Sequence, residues 1–244
     1  MKIWAHRGAS GYAPENTLEA VEMAAAMQAD GVELDVQLTN DGEIAVIHDE
    51  TIDRCSDGNG YVKDYTLVEL KRFSFAGKAD SSGRKYLLPT LREVYEVLQG
   101  TGLTVNVELK TGIFPYAGIE EKVLEETARA GMEERVIYSS FNHYSLARLK
   151  QLNSWVKTGL LYEDGWMDVP GYARQTAGAD ALHPSILRLE EGNLVEEAHR
   201  RGLLVHAWTI NTEEEFAFCG RLGIDAVITN YPDRARTFYA GGAL

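Results

Sequence analysis

Short apolar runs alternate with amphipathic stretches along almost the whole chain. The runs have the length and composition of buried strands, and the stretches between them repeat apolar residues every three or four positions, as helices do. Alternation of this kind predicts a parallel sheet with helical crossovers. The predicted strands are residues 2–6, 32–36, 44–47, 103–109, 135–139, 156–161, 179–182, 203–207 and 225–229. The predicted helices are residues 15–27, 91–98, 119–130, 144–151, 190–201, 213–221 and 233–239.

The number of predicted strands favours a closed eight-stranded α/β barrel over an open sheet, in a single domain that spans residues 1–244. With nine candidates for eight places, one strand must be short or peripheral. Residues 179–182 are our first choice, although the pattern does not decide. Residues 44–47 follow the preceding strand after a link that is too short for a helix, so we expect one degenerate crossover.

Residues 49–88 interrupt the alternation with a mixed, polar segment that contains glycine-bearing turns at 57–60 and 80–84. A structureless loop of roughly forty residues is uncommon in a compact domain. We therefore expect an insertion that packs at one end of the barrel.

Charge and composition exclude several classes of partner. The formal net charge is −13, from 37 acidic and 24 basic residues, which disfavours nucleic acid and anionic membrane surfaces. Cys55 and Cys219 have no spacing typical of a disulfide framework or a zinc site. Without a long apolar run or a leader-like start, we expect a cytoplasmic protein. A homodimer stays open.

The first candidate for chemistry is a pair of acids within the predicted strand 32–36. Because strand side chains alternate between faces, Glu33 and Asp35 share one face and the apolar residues share the other. Two like charges on a buried face need a compensating cation or strong donors. An isolated pair of this type is more often the wet face of a strand, so the pair alone is not diagnostic.

The active sites of such barrels lie at the carboxyl ends of the strands. Seven predicted strands carry polar or aromatic groups there: His6-Arg7, Glu33 with Asp35, His48-Asp49, Glu108 with Lys110, Ser139-Ser140-Phe141, Trp208-Thr209-Ile210-Asn211 and Thr229-Asn230-Tyr231. Strand parity puts Asn106, Glu108 and Lys110 on one face.

These strand-end residues indicate phosphoryl ester chemistry. Glu33, Asp35 and Glu108 form an oxygen-rich set suited to Mg²⁺ or Ca²⁺. His6 and His48 suit an acid and base pair near neutral pH.

Further strand-end side chains extend this interpretation. Arg7 and Lys110 supply positive charge for a phosphate. Trp208 is either a flat apolar wall for a substrate or plain packing. His206 is expected to point into the barrel below the mouth, and His183 is a weak candidate for a substrate contact.

At these residues the sequence resembles the glycerophosphodiester phosphodiesterase family. The shared motifs run in the family's order from residue 3 to about 235. They are His6-Arg7-Gly8, Pro14-Glu15-Asn16-Thr17, Glu33-Leu34-Asp35-Val36, Asp41-Gly42 followed by His48-Asp49, Leu88-Pro89-Thr90-Leu91, Glu108-Leu109-Lys110, Ser140-Phe141, Trp208-Thr209-Ile210-Asn211 and Thr229-Asn230-Tyr231-Pro232.

The resemblance implies a distorted (β/α)8 TIM barrel with a small insertion, residues 49–88, after the third strand. It also implies metal-dependent hydrolysis of glycerophosphodiesters, such as glycerophosphocholine or glycerophosphoethanolamine, to glycerol 3-phosphate and an alcohol.

The resemblance further implies roles for individual residues. These are general acid and base for His6 and His48, ligands of Mg²⁺ or Ca²⁺ for Glu33, Asp35 and Glu108, and phosphate binding for Arg7 and Lys110. From their positions at the rim, and not from the resemblance, Phe141 and Trp208 are candidates for substrate contacts.

Several alternatives stay open at this stage. The same barrel could act on another diester, such as phosphatidylinositol, a lysophospholipid or sphingomyelin, or could bind a glycerophosphate ligand without catalysis. Attack by the glycerol 2-hydroxyl, through a cyclic phosphate, and direct attack by water are not distinguished. One departure is visible: this chain has Asn230 where the family commonly has Asp.

Overall fold

The structure is a computed structural model that describes residues 1–77 and 83–242. Its strands are β1 Lys2–His6, β2 Gly31–Leu38, β3 Ile44–Val46, β4 Thr104–Leu109, β5 Val136–Ser140, β6 Lys157–Tyr162, β7 Ala181–Pro184, β8 Leu204–Ala207 and β9 Ala226–Thr229. Its α-helices are α1 Leu18–Ala26, α2 Leu67–Leu70, α3 Leu91–Leu98, α4 Ile119–Ala130, α5 His143–Leu152, α6 Val169–Tyr172, α7 Leu194–Arg200, α8 Glu213–Leu222 and α9 Pro232–Ala240.

Eight parallel strands close into a ring in the order β1-β2-β4-β5-β6-β7-β8-β9, with β9 hydrogen-bonded back to β1. Helices lie between most consecutive strands of the ring. The predicted (β/α)8 TIM barrel is therefore confirmed.

The strand outside the ring is β3, which pairs antiparallel with β2 through Val36 and Val46. Our first choice, residues 179–182, was wrong, because β7 pairs with both β6 and β8 inside the ring. The expected degenerate crossover is a hairpin. A parallel pairing needs a crossover of a dozen or more residues, whereas a link as short as 39–43 can join only antiparallel neighbours.

Local signals explain where several helices begin. The side chains of Thr17, Thr90 and Thr212 accept hydrogen bonds from the first turns of α1, α3 and α8. The predicted helix 190–201 begins later, at Leu194, because a 3₁₀ turn follows β7 and Gly192 has a positive φ of 58°. No helix in the ranges given above is long and apolar enough to cross a bilayer.

The main core lies between the ring and its helices, and Val32, Leu34 and Val36 of β2 belong to it. The opposite face of β2 points into the barrel. The floor of the barrel contains a smaller apolar cluster that lies below the polar mouth: Trp4, Ile137, Ala181, Ala226 and Ile228.

A second apolar cluster lies on the outer hairpin and the segment that follows it. Its members are Ala45, Ile47, Ile52, Cys55, Val62, Leu70, Phe75 and Leu88. Residues 78–82 of the expected insertion, which include most of its predicted 80–84 turn, lie outside the described residues.

Candidate active site

Three carboxylates meet at the carboxyl end of the ring. The β2–β4 register places Asp35 opposite Glu108, and Glu33 lies two residues earlier on the same face of β2. One oxygen from each of these residues lies within 4.8 Å of the others. All three residues are buried, at 1–7% exposure. The predicted acidic set is therefore brought together.

Each carboxylate receives a defined hydrogen bond. The Arg7 amide donates to Glu33 Oε2 at 2.9 Å, Asn16 Nδ2 donates to Asp35 Oδ2 at 2.9 Å, and Lys110 Nζ donates to Glu108 Oε1 at 2.9 Å.

The first of these bonds depends on the turn after β1. Arg7 has a φ of 55° and Gly8 a φ of 79°. A Cβ on Gly8 would lie 2.6 Å from the carbonyl carbon of Ala20, so the turn requires glycine there.

The three acids differ in proton affinity. Burial raises the pKa of Glu33 well above its usual value, and the nearby charges of Asp35 and Glu108 add to the rise. Burial also raises the pKa of Glu108, reinforced by Asp35 and opposed by Lys110. Burial alone would raise the pKa of Asp35, but Arg7 and other positive charges outweigh it and hold that pKa below its usual value.

The acidic cluster fits a divalent cation. Asp35 Oδ1 is buried and has no hydrogen-bond partner among the residues that the structure describes. A buried carboxylate oxygen without a partner is costly, so such an atom calls for an explanation. Carboxylate oxygens are the ligands that Mg²⁺ and Ca²⁺ prefer, and Glu33, Asp35 and Glu108 supply them on one small surface.

His6 faces the acidic cluster from the end of β1. Its Nδ1 lies 2.7 Å from Asn230 Oδ1, and its Nε2 lies 4.0 Å from Glu33 Oε2. Burial lowers the pKa of His6 to about 4, and the positive charge of Arg7 acts in the same direction. With its Nδ1 proton donated to the amide oxygen, the neutral ring turns the lone pair of Nε2 toward the cluster.

His48 follows β3 and reaches the same cavity from outside the ring. Its Nδ1 lies 2.6 Å from Asp49 Oδ1, and its Nε2 lies 3.2 Å from Lys110 Nζ. Burial would raise the pKa of Asp49, but hydrogen bonds from Arg54 and His48 outweigh it and hold that pKa well below its usual range. His48 is therefore paired with a carboxylate that stays ionised.

A chain of ion pairs connects the His48–Asp49 pair with the turn after β1. Arg54 donates to Asp49 Oδ2 at 2.7 Å and to both oxygens of Glu15, at 2.7 and 2.8 Å. Glu15 in turn accepts a 2.9 Å hydrogen bond from Arg7. The turn after His6 and the loop that carries His48 are thus both connected through Arg54.

The mouth opens into a cavity of about 210 Å³. On one side it is lined by His6, Arg7, Glu33, His48, Asn106 and Glu108, and on the other by Phe141, Leu161, Glu163, Trp208 and Ile228. The cavity therefore joins acidic residues of the cluster to the aromatic side chains of Phe141 and Trp208, whose substrate contacts stay predictions.

Some residues of the site were not predicted from the sequence pattern. Gly159 and Leu161 lie on the inner face of β6, and Glu163 continues the same alternation two residues further on. Strand alternation could therefore have identified Glu163 as a residue of the cavity. The Glu15–Arg54 contact joins residues 39 positions apart through the segment after β3, so no local pattern contains it. His183 is fully buried below the mouth, where its Nε2 lies 2.9 Å from His206 Nδ1. His206 is thus the inward, hydrogen-bonded histidine that strand parity indicated.

A phosphoric diester carries negative charge that has to be neutralised, and its cleavage needs one proton accepted and one donated. The barrel mouth carries carboxylates, cationic side chains and two histidines, which are the types of group that such a reaction calls for. This combination of fold and site is typical of barrel enzymes that act on phosphoric diesters. The sequence model of the glycerophosphoryl diester phosphodiesterase family matches residues 6–234. The chain belongs to this family and is a phosphoric diester hydrolase.

Individual relatives agree over nearly the whole length. The chain is 42% identical to a glycerophosphodiester phosphodiesterase of Caldanaerobacter subterraneus, over 95% of this chain and 94% of the relative. It is 40% identical to one from Bacillus altitudinis, over 96% of both chains.

A solved structure is also similar. It is a phosphodiesterase from Oleispira antarctica in complex with the product sn-glycerol-3-phosphate. Its TM-score is 0.86 at 29% identity, over 98% of this chain and 97% of that one.

Proposed function

We propose that this enzyme hydrolyses glycerophosphodiesters, such as glycerophosphocholine or glycerophosphoethanolamine, to glycerol 3-phosphate and an alcohol, and that the reaction needs Mg²⁺ or Ca²⁺. The observation that carries the proposal is the buried set of Glu33, Asp35 and Glu108 beside two histidines. The product bound to the Oleispira antarctica phosphodiesterase supports the same product here.

Glu33, Asp35 and Glu108 would hold the cation. A divalent cation bound there would withdraw negative charge from the phosphate oxygens. Arg7, whose guanidinium donates to Glu15, and Lys110, which donates to Glu108, would hold the phosphate with fixed positive charge. Phe141 and Trp208 would contact the departing alcohol.

His6 and His48 would divide the proton transfers between them. His6 has a neutral amide partner and a lone pair directed into the cavity, so it would accept the proton of the attacking hydroxyl. His48 is held at Nδ1 by Asp49 and lines the same cavity, so it would donate a proton to the oxygen of the departing alcohol. The attacking hydroxyl belongs either to water or to C2 of the substrate glycerol.

The test is release of glycerol 3-phosphate from glycerophosphocholine by metal-stripped protein. We expect no release without a divalent ion and release when Mg²⁺ or Ca²⁺ is added. His6→Ala and His48→Ala should each lose most turnover while keeping the wild-type circular dichroism spectrum. Full activity in the metal-stripped protein contradicts the metal requirement, and wild-type turnover in a folded histidine variant contradicts its role. Binding of the diester without product under both ions would contradict the proposed substrate.

We also propose that residues 49–88 are an insertion within a single domain, 1–244. Arg54, which joins Asp49 to Glu15, and the apolar cluster on the outer hairpin support this. A single cooperative unfolding transition is expected, and two separated transitions would contradict it. The cytoplasmic location and a homodimer stay predictions that fractionation and sedimentation would test.

A further inference from the structure

We propose that Phe141, Trp208 and Glu163 form a subsite for a cationic alcohol, so that the enzyme prefers diesters whose alcohol carries an ammonium group. This inference rests on the proposed function and adds to it the class of alcohol. The three side chains line the same cavity as Glu33 and Glu108 of the acidic cluster and the two histidines. An alcohol bonded to a phosphate at the cluster would therefore reach them.

The aromatic part of the subsite comes from the ends of two strands that are not adjacent in the ring. Phe141 follows β5 and Trp208 follows β8, and their rings meet edge to face with centroids 5.7 Å apart. Phe141 is 42% exposed although it is a large apolar residue. An exposed aromatic surface beside a phosphate site offers the negative face of a ring to a cation.

The indole of Trp208 is held in place before any ligand arrives. Its Nε1 donates a 2.8 Å hydrogen bond to the carbonyl of His183. Its backbone amide bonds Pro184 at 3.1 Å, and its carbonyl accepts from Ile186 at 2.7 Å. A wall fixed in this way loses little conformational freedom on binding.

Glu163 supplies the negative charge of the proposed subsite. The strand parity of Gly159 and Leu161 continues to this residue and turns its side chain to the cavity. Within the described parts of the chain Glu163 has no ion pair, whereas the acids of the catalytic end bond Arg7, Arg54 or Lys110. An exposed carboxylate beside an aromatic wall complements an ammonium group, which gains both charge attraction and a cation–π contact.

Lys110 is a positively charged side chain near the proposed subsite, so its effect on a bound ammonium group has to be considered. Its Nζ lies 5.9 Å from the centroid of the Phe141 ring, so this ring already accepts a positive group on one side. The same Nζ bonds Glu108 at 2.9 Å, and the phosphate of a bound diester would offset its charge further. An anionic alcohol, in contrast, would face Glu163 and a chain of net charge −13.

The test compares glycerophosphocholine with its uncharged isostere, in which carbon replaces the quaternary nitrogen, so that only the charge differs. We expect wild-type kcat/KM to favour glycerophosphocholine by about tenfold or more. Glu163→Gln and Phe141→Leu should each reduce this ratio severalfold. Asp164→Asn changes the neighbouring exposed acid and should leave the ratio as in the wild type.

The outcomes separate this inference from the function on which it rests. Equal kcat/KM for the two diesters, or an unchanged ratio in a folded Glu163→Gln variant, overturns the subsite and leaves the hydrolysis intact. Absence of product from both diesters under Mg²⁺ and Ca²⁺ contradicts the proposed function. A ratio lowered equally by Asp164→Asn would mean that general surface charge, and not the subsite, selects the alcohol.

Discussion

Nδ1 of His6 and Oδ1 of Asn230 lie 2.7 Å apart, although 224 positions separate the two residues in the chain. Ser10 Oγ also lies within hydrogen-bond distance of the same amide oxygen, at 3.0 Å. The amide therefore selects the tautomer of His6 and the direction of its free nitrogen. Asn230, known from the sequence only as a departure from the family pattern, is a positioning residue for the first histidine.

Replacing Asn230 should change turnover in two distinguishable ways. Asn230→Ala removes the acceptor, and we expect kcat to fall by about 10–100-fold, part of the roughly 10²–10⁴ that a positioned base contributes. Asn230→Asp keeps the acceptor but adds a charge that favours the imidazolium, so the acidic limb of the kcat/KM profile should move to higher pH. An unmoved limb, with activity retained in both variants, would contradict the positioning role.

Arg54 offers a test of the ion-pair chain between the two loops. Arg54→Gln removes the forked contacts to Asp49 and Glu15, so His48 and Arg7 lose a shared support. We expect kcat to fall about tenfold, since small misplacements of acid–base groups are costly. Arg72→Gln, in the same segment and outside the chain of ion pairs, is the matched control. Equal effects of the two changes would show that only the segment's general stability matters.

Cation binding should release protons. Burial raises the pKa of both Glu33 and Glu108, and a bound divalent ion requires the ionised carboxylates. Affinity for Mg²⁺ or Ca²⁺ should therefore increase with pH. Calorimetric titrations in buffers of different ionisation enthalpy measure the released protons directly. Heats that do not depend on the buffer, together with a pH-independent affinity, would rule out this linkage.

The buried histidine pair should make stability depend on pH. Burial lowers the pKa of His206 to about 4 and that of His183 well below its usual value, with Asp225 opposing slightly at His206. Between about pH 4 and 6.5 the unfolded chain then binds more protons than the folded one, so the free energy of unfolding falls as the pH drops. The slope should reach about 1.4 kcal/mol per pH unit for each histidine.

Urea unfolding between pH 5 and 7 measures this slope. His206→Asn keeps a polar atom near the position of Nδ1 and removes one titrating group, so its stability should decline less steeply than that of the wild type. Parallel declines in the two proteins would assign the pH dependence to other groups.

Local patterns predicted the parts of the fold that depend on neighbouring residues. The alternation in β2 gave the buried face of Val32 and Leu34 and the inward face of Glu33 and Asp35, because strand geometry alone decides it. The position of β3 depends instead on pairing. An apolar run of its length fits a ring strand or an outer hairpin equally well, and only the short link to β2 favoured the hairpin.

The candidate site likewise contains residues that local patterns predicted and residues that they did not. Strand ends identified His6, Glu108 and Trp208, since a barrel brings its strand ends to one rim. Contacts between distant loops could not be predicted from local patterns. The contact of Arg54 with Glu15, for example, exists only after both loops are folded. The catalytic and binding roles of all these residues stay predictions until the variants above are measured.

The hydrogen bonds from β1 to both β2 and β9 make the first and the last strand of the chain neighbours. During synthesis on the ribosome, His6 therefore acquires Asn230 only after more than two hundred further residues have been translated. A nascent chain that lacks β9 has an open ring and an unsupported first histidine. Competence for catalysis is thus expected only after β9 has been translated, and a product that terminates before β9 should be inactive.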